Sequence, residues 1–179
     1  MIFGLWKSPK DEARVAAIYG QIVAQARQPG FYDGLGVPDT LEGRYDMLVP
    51  HAFLYMHRLK NESEPVKAVA QEVFDLMFAD MDRSLREMGI GDLTVPKKIK
   101  KMAQAFYGRT AAYDAALEQG GSALAEAVRR NLFADDVGAA ANAEAVALYM
   151  RAAEKALAMQ DADALTCAGP QFPAPEGVS

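Results

Sequence analysis

The chain has 179 residues and a mass of 19.4 kDa, a size typical of one domain with its own hydrophobic core. Apolar residues make up 51% and charged residues 24%, which excludes an intrinsically disordered protein. The net charge of −5 excludes a generally basic nucleic-acid-binding protein, and DNA is not an expected partner. A single cysteine, Cys167, excludes an intramolecular disulfide and is typical of a reducing cytoplasm.

The first predicted segment is an apolar N-terminal arm, residues 1–8. Its apolar run is six residues long with no basic region before it, so it is not predicted to be a signal peptide. The uncharged apolar run at residues 47–56 is about half of the roughly 20 residues that span a bilayer. We therefore expect a cytoplasmic protein whose arm folds onto the core or touches the inner face of the cytoplasmic membrane, with Phe3 and Trp6 at headgroup level.

Apolar residues recur at helical spacing along nearly the whole chain, and no long run alternates with a period of two, as a strand would require. This pattern predicts an all-α, single-domain bundle of about six helices at residues 9–165. Three prolines in the C-terminal segment, Pro170, Pro173 and Pro175, predict a Pro-rich mobile tail at residues 166–179.

Capping and helix-breaking residues predict the helix boundaries. Asp39 and Glu42 form a predicted capping box for the second helix, which is apolar on most sides and therefore central. Pro50 lies inside that helix and is expected to bend it. Leu41 and Met88 are assigned to the buried stripes of the second and third helices. The six helices are predicted at about residues 8–28, 40–60, 63–88, 94–119, 122–133 and 139–160.

The sequence offers little catalytic or metal-binding chemistry. His51 and His57 are six residues apart, about 120° on a helix, so they cannot share a metal ion and are expected at the edge of the core or at an interface. The Asp80/Asp82 pair lacks the spacing and the accompanying histidines of a di-iron bundle. The chain contains neither a phosphate-binding loop nor a nucleophile elbow. We therefore expect neither an enzyme nor a bound metal or cofactor.

Residues 95–109 contain five basic residues and no acidic residue, whereas the rest of the chain has 14 basic and 24 acidic residues. On a helix, Lys97, Lys98, Lys100 and Lys101 occupy one face, and the apolar residues of the same stretch occupy the opposite face. Gly108, inside this predicted helix, indicates close approach by another element.

Two interpretations of this basic stretch remain open. The first is a solvated face balanced by the acidic residues of the preceding helix and turn, which are Asp80, Asp82, Glu87 and Asp92. The second is a surface, shared with Arg109, that docks on an acidic protein, on ribosomal RNA or on anionic lipid.

Specific motifs cover residues 31–133. They are Asp39-Thr40 with Gly43-Arg44-Tyr45 and His51, Asp82-Arg83-x-Leu85-Arg86-Glu87-Met88-Gly89-Ile90-Gly91-Asp92, Val95-Pro96-Lys97-Lys98-Ile99-Lys100-Lys101-Met102, Phe106-Tyr107-Gly108-Arg109 and Arg130-Asn131-Leu132-Phe133. With these motifs the chain resembles the ubiquinol-cytochrome c chaperone family, the assembly factors of the cytochrome bc complex in mitochondria and alphaproteobacteria.

The resemblance implies a helical, non-enzymatic protein that binds newly made cytochrome b and protects it. Mitochondrial relatives also act near the ribosome with a small partner, so the ribosome is a second implied partner. The resemblance assigns family-motif status to Asp39, Arg44, His51, Asp82, Arg86, Gly89, Gly91, Asp92, Tyr107 and Gly108.

Three functional hypotheses follow. In the first, an assembly chaperone uses its basic face to approach an acidic surface, and an apolar groove near Phe74, Phe78, Phe106 and Tyr107 holds a client helix. In the second, a helical sensor or carrier holds a small molecule in a closed apolar pocket, lined by Phe53, Tyr55, Phe74 and Phe106. In the third, the lysines bind RNA with a strong salt dependence.

Overall fold

The computed structural model describes residues 8–177, so the predicted apolar arm lies outside the described residues except for Ser8. All the regular secondary structure of the described residues is helical, with no strand, which confirms the all-α, single-domain prediction. Residues 8–177 form seven α-helices where about six were predicted. They are α1 (Pro9–Ala26), α2 (Leu41–Leu59), α3 (Glu64–Glu87), α4 (Val95–Gln119), α5 (Ala123–Leu132), α6 (Ala140–Ala158) and α7 (Ala162–Cys167).

Helix α2 is the centre of the bundle, as its apolar sequence predicted. It packs against α1, α3, α4, α5 and α6, and ten of its 19 residues are buried. Pro50 lies within α2, which continues as one helix on both sides of it; the bend expected at Pro50 stays a prediction. Among residues 8–177, no helix has the length and apolar character needed to cross a bilayer.

The start of α2 differs from the predicted capping box. Thr40 is the N-cap, and its hydroxyl oxygen accepts a hydrogen bond from the Gly43 amide at 3.0 Å. The side chain of Asp39 instead accepts a hydrogen bond from Arg44 at 2.7 Å. Threonine and aspartate are both good N-caps; here Thr40 is the cap, and Asp39 pairs instead with Arg44 in the first turns of the same helix.

The C-terminal segment differs from the predicted Pro-rich mobile tail. Asp161 caps α7, and residues 168–176 then run back along the bundle. Gln21 Nε2 donates to the Ala168 carbonyl at 2.6 Å, and Gln25 Nε2 donates to the Pro173 carbonyl at 2.8 Å. Gln160 exchanges two hydrogen bonds with the backbone of Gln171, at 2.7 and 2.9 Å. Proline cannot continue a helix, but these side chains satisfy the backbone of an extended segment.

Candidate functional site

An apolar cleft opens at the surface where α1, α2, α3 and the first part of α4 meet. Its volume is about 250 Å³, and three of its lining residues are methionines, Met81, Met88 and Met102; we therefore refer to it as the methionine cleft. Met81 is buried, whereas Met88 is 49% exposed and Leu41, also in the lining, is 63% exposed. The cleft thus presents apolar surface that a partner could cover.

The exposure of Leu41 and Met88 corrects their assignment to the buried stripes of α2 and α3. Leu41 is the first residue of α2, and Met88 is the C-cap of α3. At these positions the apolar stripe of each helix continues beyond the core and reaches the cleft. Helical periodicity identifies the stripe but does not say where the core ends.

Charged groups lie at the edge of the cleft. Tyr19 donates its hydroxyl hydrogen to Asp80 at 3.0 Å, and Asp80 also forms an ion pair with Arg83. Burial and the neighbouring Asp80 carboxylate raise the pKa of the Tyr19 hydroxyl, so it remains a neutral donor. Arg27 and Arg44 also line the cleft. An apolar lining with charged groups beside it is the usual composition of a peptide-binding groove.

Three of the sequence motifs meet at this cleft. The first motif contributes Arg44 and Tyr45, the second contributes Leu85 and Met88, and the third contributes Met102. The Tyr45 hydroxyl also donates to the Met102 carbonyl at 3.4 Å, which joins α2 to α4. The motifs are far apart in sequence, and the fold brings them to one surface.

Glycine at position 43 is required by close backbone approach. A Cβ atom there would lie 1.9 Å from the carbonyl oxygen of Pro38, a distance no side chain can tolerate. The chain therefore enters α2 tightly, and the Arg44 hydrogen bond to Asp39 holds the same entry. This bond also lowers the pKa of the Asp39 carboxyl, which keeps the pair ionised.

The turn between α3 and α4 is held by its backbone and by one arginine. Gly89 follows the C-cap with φ of +81°; its amide donates to the Arg86 carbonyl at 2.9 Å, and the Ile90 amide donates to the Leu85 carbonyl at 3.1 Å. This is a Schellman motif, which requires the left-handed conformation that glycine adopts without strain.

Arg86 fastens the same turn from the side. Its Nε lies 2.6 Å from Asp82 and its Nη1 lies 2.5 Å from Asp92. The turn at the edge of the methionine cleft is therefore fixed by four motif residues, Asp82, Arg86, Gly89 and Asp92. Gly91 needs no special backbone conformation and has open space around it.

Lys97, Lys98, Lys100 and Lys101, which we refer to as the lysine face, are all exposed on the first two turns of α4. No carboxylate among residues 8–177 lies within ion-pair distance of these four ammonium groups. Three of the acidic residues expected to balance them have other partners, since Asp80 binds Arg83 while Asp82 and Asp92 bind Arg86. The lysine face thus carries charge that no ion pair in the described chain compensates.

Arg109 and Gly108 differ from their predicted roles. Arg109 forms an ion pair with Asp46 of α2, so it does not belong to the exposed lysine face. Burial raises the pKa of Asp46, against the opposing effect of the Arg109 guanidinium. A Cβ atom at Gly108 would meet nothing within 4 Å, which contradicts the expected close approach by another element.

Four aromatic residues of α3 and α4 form one cluster, which consists of Phe74, Phe78, Phe106 and Tyr107. The Phe74 ring centroid lies 4.8 Å from that of Phe78, 5.3 Å from that of Phe106 and 5.8 Å from that of Tyr107. Phe106 is buried, whereas Tyr107 is 58% exposed. The cluster joins α3 to α4 but lines neither the methionine cleft nor the four other main clefts among the described residues.

The four residues of the small-molecule hypothesis line no common pocket among the five main clefts of residues 8–177. Phe53 packs against His57 and Tyr113, and the Tyr55 hydroxyl donates to the Leu165 carbonyl, away from the α3–α4 aromatic cluster. Neither residue lines any of these five clefts with Phe74 or Phe106. In place of a shared cavity, these side chains fill parts of the core.

His51 lies inside the core and not at its edge. Its ring is fully buried and lies 2.8 Å from the Met47 carbonyl through Nδ1 and 2.9 Å from the Tyr149 hydroxyl through Nε2. Burial lowers its pKa to about 4. A neutral ring that donates through Nδ1 accepts the Tyr149 hydrogen, and Tyr149 in turn accepts from Gln25. His51 is thus a structural residue that links α2, α6 and α1.

The second histidine and the acidic residues do not make a metal site. His57 Nδ1 lies 2.7 Å from Asp114 of α4, and Lys60 lies 2.9 Å from the same carboxylate. In the part of the chain that the structure describes, no three His, Cys, Asp or Glu side chains are grouped so that they could hold a metal ion.

Known proteins match this chain over most of its length. A family model described as Ubiquinol-cytochrome C chaperone matches residues 33–172, a range that contains every motif described above. The chain belongs to the ubiquinol-cytochrome c chaperone family. A chaperone of this family serves the assembly of ubiquinol-cytochrome c reductase.

A solved member of the family has the same fold. The crystal structure of the Cbp3 homolog from Brucella abortus superposes with a TM-score of 0.83 and 41% sequence identity, over 95% of this chain and 94% of that chain. The likeness therefore extends to nearly all of both chains.

More distant family relatives are longer. Ubiquinol-cytochrome-c reductase complex assembly factor 1 of Xenopus laevis is 26% identical over 131 residues, which cover 72% of this chain and 66% of the relative. The Mus musculus protein of the same description is 24% identical over 132 residues, 73% of this chain and 45% of the relative. The chain thus matches less than two thirds of either relative.

Sequence reasoning missed one exposed residue of this chaperone family member. Leu93, in the turn before α4, is 90% exposed. The sequence places Leu93 in a glycine-rich turn directly before the basic stretch. This position could have indicated exposure, because a side chain in such a turn does not reach the core.

Proposed function

We propose that the protein is a non-enzymatic chaperone that binds newly made cytochrome b and assists the assembly of ubiquinol-cytochrome c reductase. In this proposal it works from the cytoplasmic side and meets its client at the ribosome or at the inner face of the membrane. The observation that carries the proposal is the methionine cleft, an exposed apolar surface where three family motifs converge.

The lining of the cleft suits an apolar client of variable sequence. Methionine side chains have three rotatable bonds and a polarisable sulfur, so Met81, Met88 and Met102 can adapt to different apolar side chains. Tyr45 and Leu48 add fixed apolar surface. Helices of a membrane protein present such side chains at i, i+3 and i+4, and they have no other cover before the protein is assembled.

The size of the cleft favours a peptide over a small ligand. Its volume of about 250 Å³ is below the roughly 300–1,000 Å³ of typical small-molecule sites, and it is open at Leu41 and Met88. It can seat a few anchoring side chains while the rest of a client helix lies outside. The neighbouring Arg27, Arg44 and Asp80 can then bind polar groups at the ends of such a segment.

The proposal is tested by genetic replacement in the organism that encodes the protein. Deletion should lower the amount of cytochrome b while other membrane respiratory enzymes persist. Complementation with Met88→Asp should fail, because a carboxylate in the cleft loses its solvation when the client binds. The matched control is Met159→Asp, which changes a methionine that is 90% exposed and lies outside the cleft.

A direct contact is tested by crosslinking. A photoreactive amino acid at position 88 should crosslink to newly made cytochrome b, and the same group at position 159 should not. Equal crosslinking at both positions, or normal cytochrome b levels in the deletion strain, would overturn the proposal.

A further inference from the structure

We propose that the α3–α4 turn and the lysine face form a docking surface for a bilayer that contains anionic lipid, with Leu93 inserted among the acyl chains. The surface combines an exposed apolar tip with a positive face that has no ion-pair partner among the described residues, which is the composition of interfacial membrane contacts.

The apolar part of the surface is the turn itself. Leu93 is 90% exposed and Met88, five residues earlier, is 49% exposed. A leucine that is almost fully in water gains free energy when it enters the acyl region. The Leu93 side chain is not packed in the core and is therefore available to insert into a bilayer.

The charged part of the surface follows directly in the chain. All four side chains of the lysine face are exposed, and none has an ion-pair partner in residues 8–177. The nearest acidic residue along the chain, Asp92, is paired with Arg86. Because the chain outside residues 95–109 has 14 basic and 24 acidic residues, an anionic bilayer attracts this surface and repels much of the remainder.

The turn is held in a fixed conformation by its own hydrogen bonds and ion pairs. The Schellman motif at Gly89 and the Arg86 ion pairs hold its first half. The amides of Thr94 and Val95 both donate to the Gly91 carbonyl, at 2.8 and 3.2 Å, which holds its second half. Leu93 is therefore presented without an ordering step, and less free energy is lost when it inserts.

These features favour lipid over RNA. Binding of single-stranded RNA relies on aromatic side chains that stack on bases beside the cations, and Leu93 has no such surface. The exposed aromatic residue of α4, Tyr107, packs its ring against Phe74 and lies six residues beyond Lys101, about 9 Å along the helix. The apolar tip beside the lysines is aliphatic, as an acyl environment prefers.

Docking in this way places the methionine cleft at the membrane. Met88 belongs both to the turn and to the lining of the cleft, so one rim of the cleft would meet the lipid headgroups. The placement of the cleft at the membrane is the only part of this inference that rests on the proposed function, because only the proposed function makes the cleft a binding site for a membrane-protein client.

The test is co-sedimentation of the full chain with vesicles of phosphatidylglycerol and phosphatidylcholine, compared with vesicles of phosphatidylcholine alone. We expect binding to the anionic vesicles that falls steeply with salt. Each lysine near an anionic surface is worth about a fivefold change in affinity, so Lys97→Gln/Lys98→Gln should weaken binding about 30-fold. The control Lys10→Gln/Lys155→Gln makes the same change in net charge at two exposed lysines elsewhere and should bind nearly as the wild type does.

The insertion step has its own matched pair. Leu93→Asp should weaken vesicle binding about tenfold or more, whereas Met159→Asp, at an equally exposed side chain, should have little effect. Circular dichroism of each variant confirms that the fold is retained. Binding to RNA is measured separately, as the retention of a single-stranded RNA oligonucleotide on a filter by the wild type and by the same set of variants.

Several outcomes would overturn the proposal. The first is an equal loss of vesicle binding in the variants and in their controls. The second is vesicle binding that is abolished only by Trp6→Ser in the N-terminal arm. The third is a protein that does not bind vesicles but retains RNA, with RNA retention unchanged by Leu93→Asp. The vesicles contain no cytochrome b, so failure here leaves the proposed function standing. Failure of the position 88 crosslink with normal vesicle binding removes the proposed function alone.

Discussion

Arg86 and Asp92 form an ion pair, with 2.5 Å between Nη1 and Oδ1, that connects the last turn of α3 to the turn before α4. Arg86 is on the surface, and its second partner is Asp82 of its own helix. Exposed ion pairs contribute little to the stability of a whole domain. Their effect here is local, because they fix the turn that carries Leu93 and borders the methionine cleft.

Replacing Arg86 should therefore loosen the turn more than it destabilises the protein. We expect Arg86→Gln to lower the free energy of unfolding only slightly, because its ion pairs are exposed to solvent. Amide hydrogen exchange at residues 89–95 should become faster while exchange in α6 stays unchanged, measured by mass spectrometry. Arg83→Gln, whose partner Asp80 lies on α3 itself, is the control and should leave the turn protected.

Gly89 and Gly91 form a second matched pair in the same turn. Gly89→Ala places a Cβ atom on a residue with φ of +81° and should cost about 1–2 kcal/mol in urea unfolding. Gly91→Ala has no positive φ and open space around it, so its cost should stay below about 0.5 kcal/mol. Equal costs at the two positions would contradict the Schellman assignment.

Burial of His51 makes stability depend on pH. The folded pKa is lowered to about 4, whereas an unfolded histidine has a pKa near 6.5. The unfolded state therefore binds more protons between these values, so stability is fully present above pH 6.5 and falls as the pH falls towards 4. The loss from this group should be about 3 kcal/mol. In His51→Gln, the free energy of unfolding measured with urea should fall correspondingly less between pH 7 and pH 4 than it does in the wild type. An equal fall in both proteins would contradict a buried, neutral His51.

The ion pair between Arg109 and Asp46 should contribute to stability, unlike the lysine face. Both side chains are about one fifth exposed, so Arg109→Ala leaves a largely buried carboxylate without its partner and should cost about 1–3 kcal/mol. Lys98→Ala, at an exposed and unpaired side chain, should be nearly neutral. In a double-mutant cycle, adding Asp46→Ala should recover part of the loss, and strictly additive costs would contradict the pair.

The packing of residues 168–176 predicts resistance to proteolysis. The wild type should not be cut by the broad-specificity protease proteinase K within residues 168–172, because this segment is packed; the ring of Phe172 lies 5.1 Å from that of His51. Gln25→Ala/Gln160→Ala removes the side chains that hold Pro173 and Gln171 and should expose this segment. Rapid cleavage of the wild type within residues 168–172 would instead support the mobile tail that the prolines suggested.

Local signals were sufficient for most of the helices. The serine before α1, the glycine after α3 and the proline at the start of α4 act on residues within one turn, so the sequence places the ends of these helices within a few residues. The family resemblance likewise rests on short contiguous motifs. Helix α7 was missed because it is short, and the hydrogen bonds that hold the segment after it come from Gln21, Gln25 and Gln160.

The candidate site depended much more on distant contacts. Arg109 appeared to extend the lysine stretch, but its partner Asp46 lies 63 residues away. His51 appeared to lie at the edge of the core, but Tyr149, 98 residues away, encloses it. Phe74, Phe78 and Phe106 do meet, yet they fill a contact between two helices and line none of the five main clefts of the described residues.

The sequence by itself determined an all-α domain, a central α2, an acidic chain with one basic stretch, and the family. Those features depend on spacing along one helix or on composition. Only the tertiary structure decided that three motifs line the methionine cleft, that the lysine face has no ion-pair partner among residues 8–177 and that Leu93 is exposed to solvent. The physical reason is that exposure and ion pairing depend on which helices pack together, and that choice is made by the whole core.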